Sequence, residues 1–414
     1  MRAVRGYNGA AEVSGGGGGS SYYNPTYVTN FVGSNGNNVT PVANTLSFYD
    51  GAAGRAQGVY AVGSGSNGLA VFVATTSPAL PFPTKIYTVS FTYTGSLQYF
   101  VFPSGALPAT VYIWGAGGGY GDPGAASGGA GAYITGKLAL TPGQTYNILV
   151  GGGAGYTTGG YGGGGNTGWG GSSGGGGRSA IQQTLSVTIS SASGSGTVVT
   201  YTTSAAHSLA VGQPVIITGL TPSGYNGTYI VASVPLTTTF TVSNTTTGTS
   251  SGTGAILAEL VDAGGGGGAA TWTSTAAGGA AAYTGTASNG QSPNNDVYGR
   301  GASQTAGGAS ITGGEGTGSA GSPLQGGSAS SQGGGGGGGY YGGGGGGSAS
   351  YDHGGGGGGS SYTALLTNFS GANGSGGTPP GTTVTGYIAG VAAGGITSSR
   401  TGGNGLVIIS YIGF

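Results

Sequence analysis

The chain has 414 residues, of which 106 are glycine, and it carries eight basic and eight acidic side chains but no cysteine. Its glycine content lies above the ~7% of ordinary proteins and below the roughly one-third that a collagen triple helix requires. Charged residues make up 4% of the chain, which excludes a basic nucleic-acid-binding surface, and the absence of cysteine excludes disulfides and thiolate metal sites.

Tyrosine and β-branched residues separate this chain from disordered glycine-rich sequences. It contains 26 tyrosines and many valine, isoleucine and threonine residues, whereas disordered segments are poor in both classes. No stretch is long and apolar enough for a membrane span or a signal-peptide core, so neither membrane insertion nor an export signal is predicted. The expected fold is all-β, with almost no α-helix.

The N-terminal segment repeats part of the C-terminal end of the chain. SGGGGGSSYYNPTYVTNFVGSNG at 14–36 resembles GGGGGGSSYTALLTNFSGANG at 354–374, and NGLAVFV at 67–73 resembles NGLVIIS at 404–410. The two motifs are separated by nearly the same distance in both copies, which indicates a duplicated unit. We therefore predict that residues 1–74 form a partial glycine-rich unit.

A proline-containing linker at 75–84 separates this unit from the main body, because proline favours extended backbone in the residue before it. Five runs after the linker have period-two or continuous apolar character, which is typical of strands. They are residues 87–93, 98–102, 110–114, 132–140 and 145–150. The TPGQ sequence at 141–144 has proline and glycine at its central positions, which predicts a type II turn.

A small β module of different composition is inserted at 183–254. It is rich in threonine, valine and serine and predicts four further strands. These are residues 198–203, 214–218, 228–234 and 239–242. The flanks at 178–182 and 255–261 are strand-like, so the module is predicted to lie at the tip of a hairpin. The remaining residues, 85–182 together with 255–414, form the predicted glycine-rich domain.

Unbroken glycine runs stand at 333–339, 342–347 and 354–359. Glycine loses more conformational entropy on ordering than any other residue, so such runs stay disordered unless neighbours satisfy their backbone groups. Polyglycine-II helices, which have three residues per turn and no internal hydrogen bonds, meet this condition by bonding side by side. We predict β-strands framing a bundle of such helices; the alternative is a flexible linker.

Seven motifs combine glycine runs with apolar or aromatic flanks. They are VYIWGAGGG at 111–119, LTPGQTYNILVGGG at 140–153, GGGGRSA at 174–180, LVDAGGGGG at 260–268, GGGYYGGGGGG at 337–347, GGGGGSSY at 355–362 and NGLVIISY at 404–411. Together they resemble the glycine-rich domain of phage and giant-virus surface proteins and of the extracellular region of anaplastic lymphoma kinase receptors. The inserted module is similar to one that recurs in viral structural proteins. The resemblance implies a polyglycine-II bundle and a location on a virion surface or outside a cell.

No motif predicts a catalytic residue, a metal or a cofactor, and we expect the protein not to be an enzyme. GAYITGK at 131–137 resembles a phosphate-binding loop, but the next residue is leucine rather than serine or threonine and no helix follows. Asp352 and His353 adjoin glycine runs, without the sharp turn that presents a nucleophile. Glu259 and Asp262 are a close acidic pair, either at a strand end or, alternatively, in a calcium site.

Two functions fit these features, and the first is a structural protein of a virion surface fibre or adhesin. Its glycine-rich scaffold would present aromatic loops to a host surface protein or glycan, since tyrosine offers large contact area at little entropic cost. The alternative for each aromatic residue is packing against the glycine lattice. The candidate contact residues are Tyr22, Tyr23, Tyr27, Tyr156, Tyr161 and Trp169.

The second function is a self-assembling extracellular filament or lattice subunit, joined head-to-tail through the N-terminal segment. An incomplete glycine-rich unit leaves unpaired backbone edges, which a neighbouring chain can complete by strand addition. Under this hypothesis the partner is the protein itself, as a homo-oligomer or polymer. The alternative is that residues 14–73 pack on the body of their own chain.

Overall fold

The computed structural model describes residues 85–121, 126–168, 170–271, 274–293 and 296–413. The predictions for the N-terminal unit and for the linker lie outside these residues. Nineteen strands and one 3-10 helix, Ser223–Tyr225, make up the regular structure described, so the all-β prediction is confirmed. No helix in the described ranges is long and apolar enough to cross a membrane.

The strands are β1 (Lys85–Thr92), β2 (Gln98–Val101), β3 (Ala109–Trp114), β4 (Tyr133–Leu138), β5 (Thr145–Leu149), β6 (Ser179–Thr184), β7 (Ile189–Ser195), β8 (Val198–Thr203), β9 (Pro214–Thr218), β10 (Gly227–Leu236), β11 (Thr239–Ser243), β12 (Thr247–Thr249), β13 (Ala255–Ala263), β14 (Ile311–Thr312), β15 (Thr317–Gly318), β16 (Ser348–Ala349), β17 (Asp352–His353), β18 (Leu366–Ala372) and β19 (Leu406–Gly413). Every strand predicted above is present, with ends that differ by at most two residues. The predicted type II turn is confirmed, because Gly143 has a φ of 81° and the Gln144 amide donates to the Thr141 carbonyl at 3.2 Å.

Two antiparallel sheets pack face to face. The first has the order β1-β19-β3-β4-β18, and the second has the order β12-β7-β8-β11-β10-β9-β13-β6-β5-β2. Ile113 and Ile409 of the first sheet share a buried cluster with Ile148 and Val261 of the second. The sandwich core therefore lies between the first sheet and the β13-β6-β5-β2 end of the second.

The strands between β6 and β13 have a buried cluster of their own. Val199, Tyr201, Ile217, Phe240 and other side chains from 189–258 form it. The flanking strands β6 and β13 pair antiparallel, as the hairpin prediction requires. β9 pairs with β13 and so joins these strands to the rest of the ten-stranded sheet.

The glycine runs bond to their neighbours with a period of three residues. In the run at 333–339, successive amides donate to three different segments, and the amide three residues later returns to the same segment. The donor and acceptor pairs, at 2.8 to 3.0 Å, are Gly334 to Gly354, Gly337 to Gly357, Gly335 to Ser173, Gly338 to Gly176, and Gly336 to Gly327. A repeat of three is that of a polyglycine-II helix, so the predicted bundle is confirmed.

The other two long runs show the same repeat. The pairs are Gly342 to Ser322, Gly345 to Ser319, Gly343 to Gly337, Gly346 to Gly334, Gly344 to Arg300 and Gly347 to Val297; and Gly354 to Gly347, Gly357 to Gly344, Gly355 to Gln291, Gly358 to Ser288, Gly356 to Gly268 and Gly359 to Gly265. Acceptor numbers fall as donor numbers rise in these pairs, so the neighbours are antiparallel, whereas 333–339 and 354–359 run parallel. Neighbouring segments of the bundle therefore run either parallel or antiparallel to each other.

The packing leaves no room for a side chain at the centre of the bundle. A Cβ atom on Gly336 would lie 2.0 Å from the carbonyl oxygen of Gly343, and its other close neighbours are backbone atoms as well. Backbone that is hydrogen-bonded on three sides cannot move aside for one methyl group. The lattice itself thus requires glycine at this position.

We expect Gly336→Ala to lower the free energy of unfolding by about 3 kcal/mol or more, because the added methyl group overpacks the lattice. Gly314→Ala is the matched control: a Cβ atom added there would meet nothing within 4 Å, and the φ of Gly314 is not positive. Urea unfolding of both variants measures the difference. Equal stability of the two variants would contradict the packing described.

Candidate functional site

A cleft of about 670 Å³ opens beside the β1–β2 turn, against the irregular segment at 377–405. Its wall combines apolar side chains, among them Tyr93, Ile388 and Ile396, with hydroxyl groups and exposed glycine backbone. No charged side chain lines it among the residues that the structure describes. The cleft is therefore suited to an uncharged partner that offers both apolar surface and hydrogen-bonding groups.

The segment that forms this wall is fixed on the first sheet. The Trp114 indole N–H donates to the Pro380 carbonyl at 3.0 Å, and Val391 packs in a buried cluster with Trp114 and Ile408. Asn404 accepts a hydrogen bond from the Gly153 amide at 2.9 Å, which joins the segment to the glycine bundle. These contacts join a loop without regular strands to the first sheet and to the glycine bundle.

Two of the candidate aromatic residues, Tyr156 and Tyr161, are described, and one of them contacts the wall of the cleft. The ring centroid of Tyr161 lies 6.3 Å from that of Tyr93, and burial raises the pKa of Tyr161, with Arg178 opposing the shift. The Arg400 guanidinium lies 5.3 Å from the ring centroid of Tyr156. Neither tyrosine lines the cleft itself. Tyr161 thus contacts a wall residue, Tyr93, whereas Tyr156 contacts Arg400, which does not line the cleft. Tyr22, Tyr23, Tyr27 and Trp169 lie outside the described residues.

Tyr93 and the segment at 377–405 are the residues that sequence reasoning missed. The segment is rich in glycine, threonine and alanine, and its single tyrosine and single arginine, Tyr387 and Arg400, do not line the cleft. The cluster NGSGGTPPGTT at 373–383 is a loop signal. It indicates irregular structure without indicating what the loop contacts.

The acidic pair lies within β13, where Glu259 is buried and paired with Arg178. The Arg178 Nε donates to Glu259 Oε1 at 2.9 Å, and the Gln182 amide donates to Glu259 Oε2 at 2.7 Å. Arg178 Nη1 also donates to the Gly162 carbonyl at 2.8 Å and to the Leu324 carbonyl at 3.3 Å. The ion pair therefore connects the sheet to two segments of the glycine bundle.

Asp262, three residues further along β13, is fully buried without a salt bridge. Its Oδ1 accepts a hydrogen bond from the Tyr362 amide at 3.0 Å, and its Oδ2 has no hydrogen-bond partner. Burial raises the pKa of Asp262 well above its usual range, the charge of Glu259 adds to the shift, and Arg178 opposes it. Both oxygens of Glu259 are held by Arg178 and Gln182, and no third possible ligand joins this pair within the described residues, so the arrangement lacks the several free oxygen ligands that calcium requires.

The other residues considered for chemistry have structural roles. Ser348 Oγ lies 2.9 Å from His353 Nδ1, and both residues are buried, so no substrate reaches this hydroxyl. Burial lowers the pKa of His353, with Asp352 and Glu315 opposing. Lys137 belongs to β4, which pairs with β3 and β18. GAYITGK therefore enters a strand rather than a phosphate-binding loop before a helix.

Comparison with known proteins returns no relative: no protein-family model matches the chain, and no curated protein is significantly similar to it. The resemblance to viral glycine-rich domains therefore stays a prediction.

Glu259→Gln is expected to lower the free energy of unfolding by about 3–5 kcal/mol, because it leaves the Arg178 charge buried without a counter-ion. The control is Asp296→Asn, which removes the exposed partner of Arg300 and leaves the unfolding midpoint unchanged. Chemical denaturation at neutral pH compares the two. Similar unfolding midpoints for both variants would contradict a stabilising role for the buried ion pair.

The raised pKa of Asp262 predicts that the free energy of unfolding depends on pH, and the substitution Asp262→Asn should remove this dependence. Because the folded-state pKa is raised above the unfolded value of about 3.9, the folded protein retains a proton that the unfolded chain has lost. The free energy of unfolding of the wild type therefore falls, relative to Asp262→Asn, as pH rises from about 4 towards the folded-state pKa. Urea midpoints of both proteins across this range test it; parallel curves would refute the assignment.

Proposed function

We propose that this chain is a non-enzymatic structural protein of a virion surface fibre or adhesin. The observation that carries the proposal is the hydrogen-bonded glycine lattice, which repeats every three residues in three directions. Such a lattice orders long segments that have no side chains, and it supports irregular segments at its edges. This architecture suits presentation of a surface better than turnover of a substrate.

The contact surface of this adhesin is the cleft beside Tyr93. Its uncharged wall and anchored segment at 377–405 suit a host surface protein or glycan. Rigid aromatic and loop-borne polar groups are the elements from which such contact surfaces are built. Because charge is absent from the wall, binding there is expected to be insensitive to salt. The virion location rests on the sequence resemblance alone.

A second candidate function is the self-assembling filament or lattice subunit. It is favoured by β1 and β2, each of which is the terminal strand of its sheet within the described residues. Ile86 of β1 and Tyr99 of β2 are 68% and 67% exposed. Exposed, apolar edge strands are sites where another chain adds a strand.

The adhesin proposal is tested by substitution in the cleft. Ile396, which lines the cleft and is 51% exposed, is replaced by aspartate, and Leu236, which is 63% exposed on β10, serves as the matched control. We expect Ile396→Asp to weaken binding at least about tenfold, because a charge would be desolvated in an apolar contact, and Leu236→Asp to bind as wild type.

Binding is measured with purified, fluorescently labelled protein on arrayed glycans and on intact cells of candidate hosts, at low and high salt. Melting temperatures of both variants establish that the fold is retained. Undiminished binding by Ile396→Asp would show that the contact surface does not lie in the cleft. Wild-type protein that binds no glycan and no cell would contradict the adhesin function and leave the scaffold role.

A further inference from the structure

A second pocket, of about 290 Å³, lies where the inserted strands, the glycine bundle and β18 meet. Gly212 of the inserted strands, Tyr340 between two glycine runs and Phe369 of β18 each contribute to its wall. The other lining residues that matter below are Gln304, Tyr362 and Thr363. No charged side chain of the described ranges lines this pocket, and it shares no lining residue with the cleft beside Tyr93.

Hydrogen bonds from three parts of the chain hold the tyrosine wall of the pocket in place. Tyr340 Oη donates to the Gly212 carbonyl at 2.8 Å, and the Tyr340 amide donates to the Ser360 carbonyl at 2.8 Å. The Tyr362 amide donates to Asp262 Oδ1 at 3.0 Å, and the rings of Tyr340 and Tyr362 lie 5.2 Å apart. Because the wall is already ordered, a ligand would not have to order it on binding.

Two buried polar atoms of the lining residues have no hydrogen-bond partner. Tyr362 is 3% exposed and its Oη is unpaired, and the Nε2 atom of Gln304 is buried and unpaired as well. The turn that carries Gln304 is closed by a 2.9 Å bond from the Ser303 amide to the Ala306 carbonyl. Buried polar groups are nearly always paired in native proteins, because an unpaired one costs free energy. These two groups therefore call for a partner that the chain itself does not supply.

A β-bulge places an aromatic ring beside them. The pairing of β18 with β4 shifts register between Thr367 and Ser370, and Asn368 within this bulge has a φ of 50°. Asparagine enters this left-handed region more readily than most residues. Phe369 follows it, lines the pocket and is 45% exposed. Bulges commonly re-aim a side chain next to a functional site, and here the result is an aromatic surface that a ligand can reach.

The lining determines the class of ligand. A wall without charged side chains offers no counter-ion to a charged molecule. Its polar groups are the Gln304 N–H, which needs an acceptor, and the hydroxyl groups of Tyr362 and Thr363, which donate or accept. Its aromatic rings offer an apolar surface. A pyranose ring matches all of these, because its hydroxyl groups both donate and accept while its C–H face is apolar.

We propose that this pocket binds one neutral sugar residue, with its ring on Phe369 and its hydroxyl groups on Tyr362 Oη and Gln304 Nε2. The volume of about 290 Å³ lies at the lower limit of ligand pockets, so it admits a single residue rather than an oligosaccharide. The inference goes beyond the adhesin proposal, whose contact surface is the separate cleft beside Tyr93.

Binding of single sugars to the full chain tests the pocket. The probes are the methyl glycosides of glucose, galactose, mannose and N-acetylglucosamine, with phenol as an aromatic molecule of similar ring size, and binding is titrated by saturation-transfer NMR. We expect at least one glycoside to bind wild type and Tyr362→Phe to weaken that binding about tenfold, because a hydrogen-bonding group is lost. Phe369→Ala should weaken it by a similar factor, because the ring contact is lost.

Urea unfolding separates binding from stability. Tyr362→Phe should unfold at the same urea concentration as wild type or at a higher one, because the hydroxyl that it removes has no partner in the folded protein. Tyr341→Phe is the matched control. Tyr341 is half-buried beside Tyr340 and does not line the pocket, so its variant should bind and unfold as wild type does.

Three results would contradict the proposal. Wild type that binds no glycoside, or binds phenol alone, would overturn the sugar as the occupant. Unchanged glycoside binding by both Tyr362→Phe and Phe369→Ala would overturn this pocket as the site. Glycoside binding that Ile396→Asp abolishes and Tyr362→Phe leaves intact would place the sugar in the cleft, so the pocket proposal would fail while the adhesin proposal stands.

Discussion

Backbone hydrogen bonding without side chains is the constraint on which this structure depends. A glycine run gains nothing from side-chain burial, and it loses more conformational entropy on folding than any other sequence. The only compensation comes from neighbours that satisfy its amides and carbonyls in every direction. The neighbours must therefore lie very close: a Cβ atom added to Gly336 would lie 2.0 Å from the carbonyl oxygen of Gly343. One requirement thus explains the unbroken runs, their three-residue repeat and the intolerance of substitution.

The sandwich holds the ends of the lattice, because its strands continue directly into lattice segments. β3 ends at Trp114, and the segment from Gly115 follows without a loop; β13 ends at Ala263 and leads into Gly264 in the same way. Arg178 precedes β6 and joins Glu259 to carbonyl oxygens of the bundle. An entropically costly lattice is therefore anchored by ordinary hydrophobic packing and by the buried Arg178–Glu259 ion pair, and the uncharged cleft lies at its margin.

The sequence predicted those parts that local rules determine. Strands with period-two apolar character, such as β8 and β9, follow from their side chains alone, and the unbroken glycine runs follow from entropy. β7 was missed because ISSASGS is polar and becomes a strand through its pairing with β8. The ion pair at Glu259 and the anchoring of 377–405 by Trp114 join residues far apart in sequence. Aromatic character alone marks Tyr156 and Tyr161 in the sequence, whereas their contacts with Arg400 and Tyr93 depend on the assembled bundle.

Hydrogen exchange of the glycine-run amides, read by mass spectrometry on peptides covering 333–359, tests the lattice most directly. The amides from Gly334 to Gly338 and from Gly354 to Gly359 donate to backbone carbonyls of other segments. They should therefore exchange as slowly as those of β6 and β13 in the sandwich. Exchange within seconds, at the rate of an unstructured glycine linker, would contradict the lattice and with it the rigid scaffold on which the proposed functions rest.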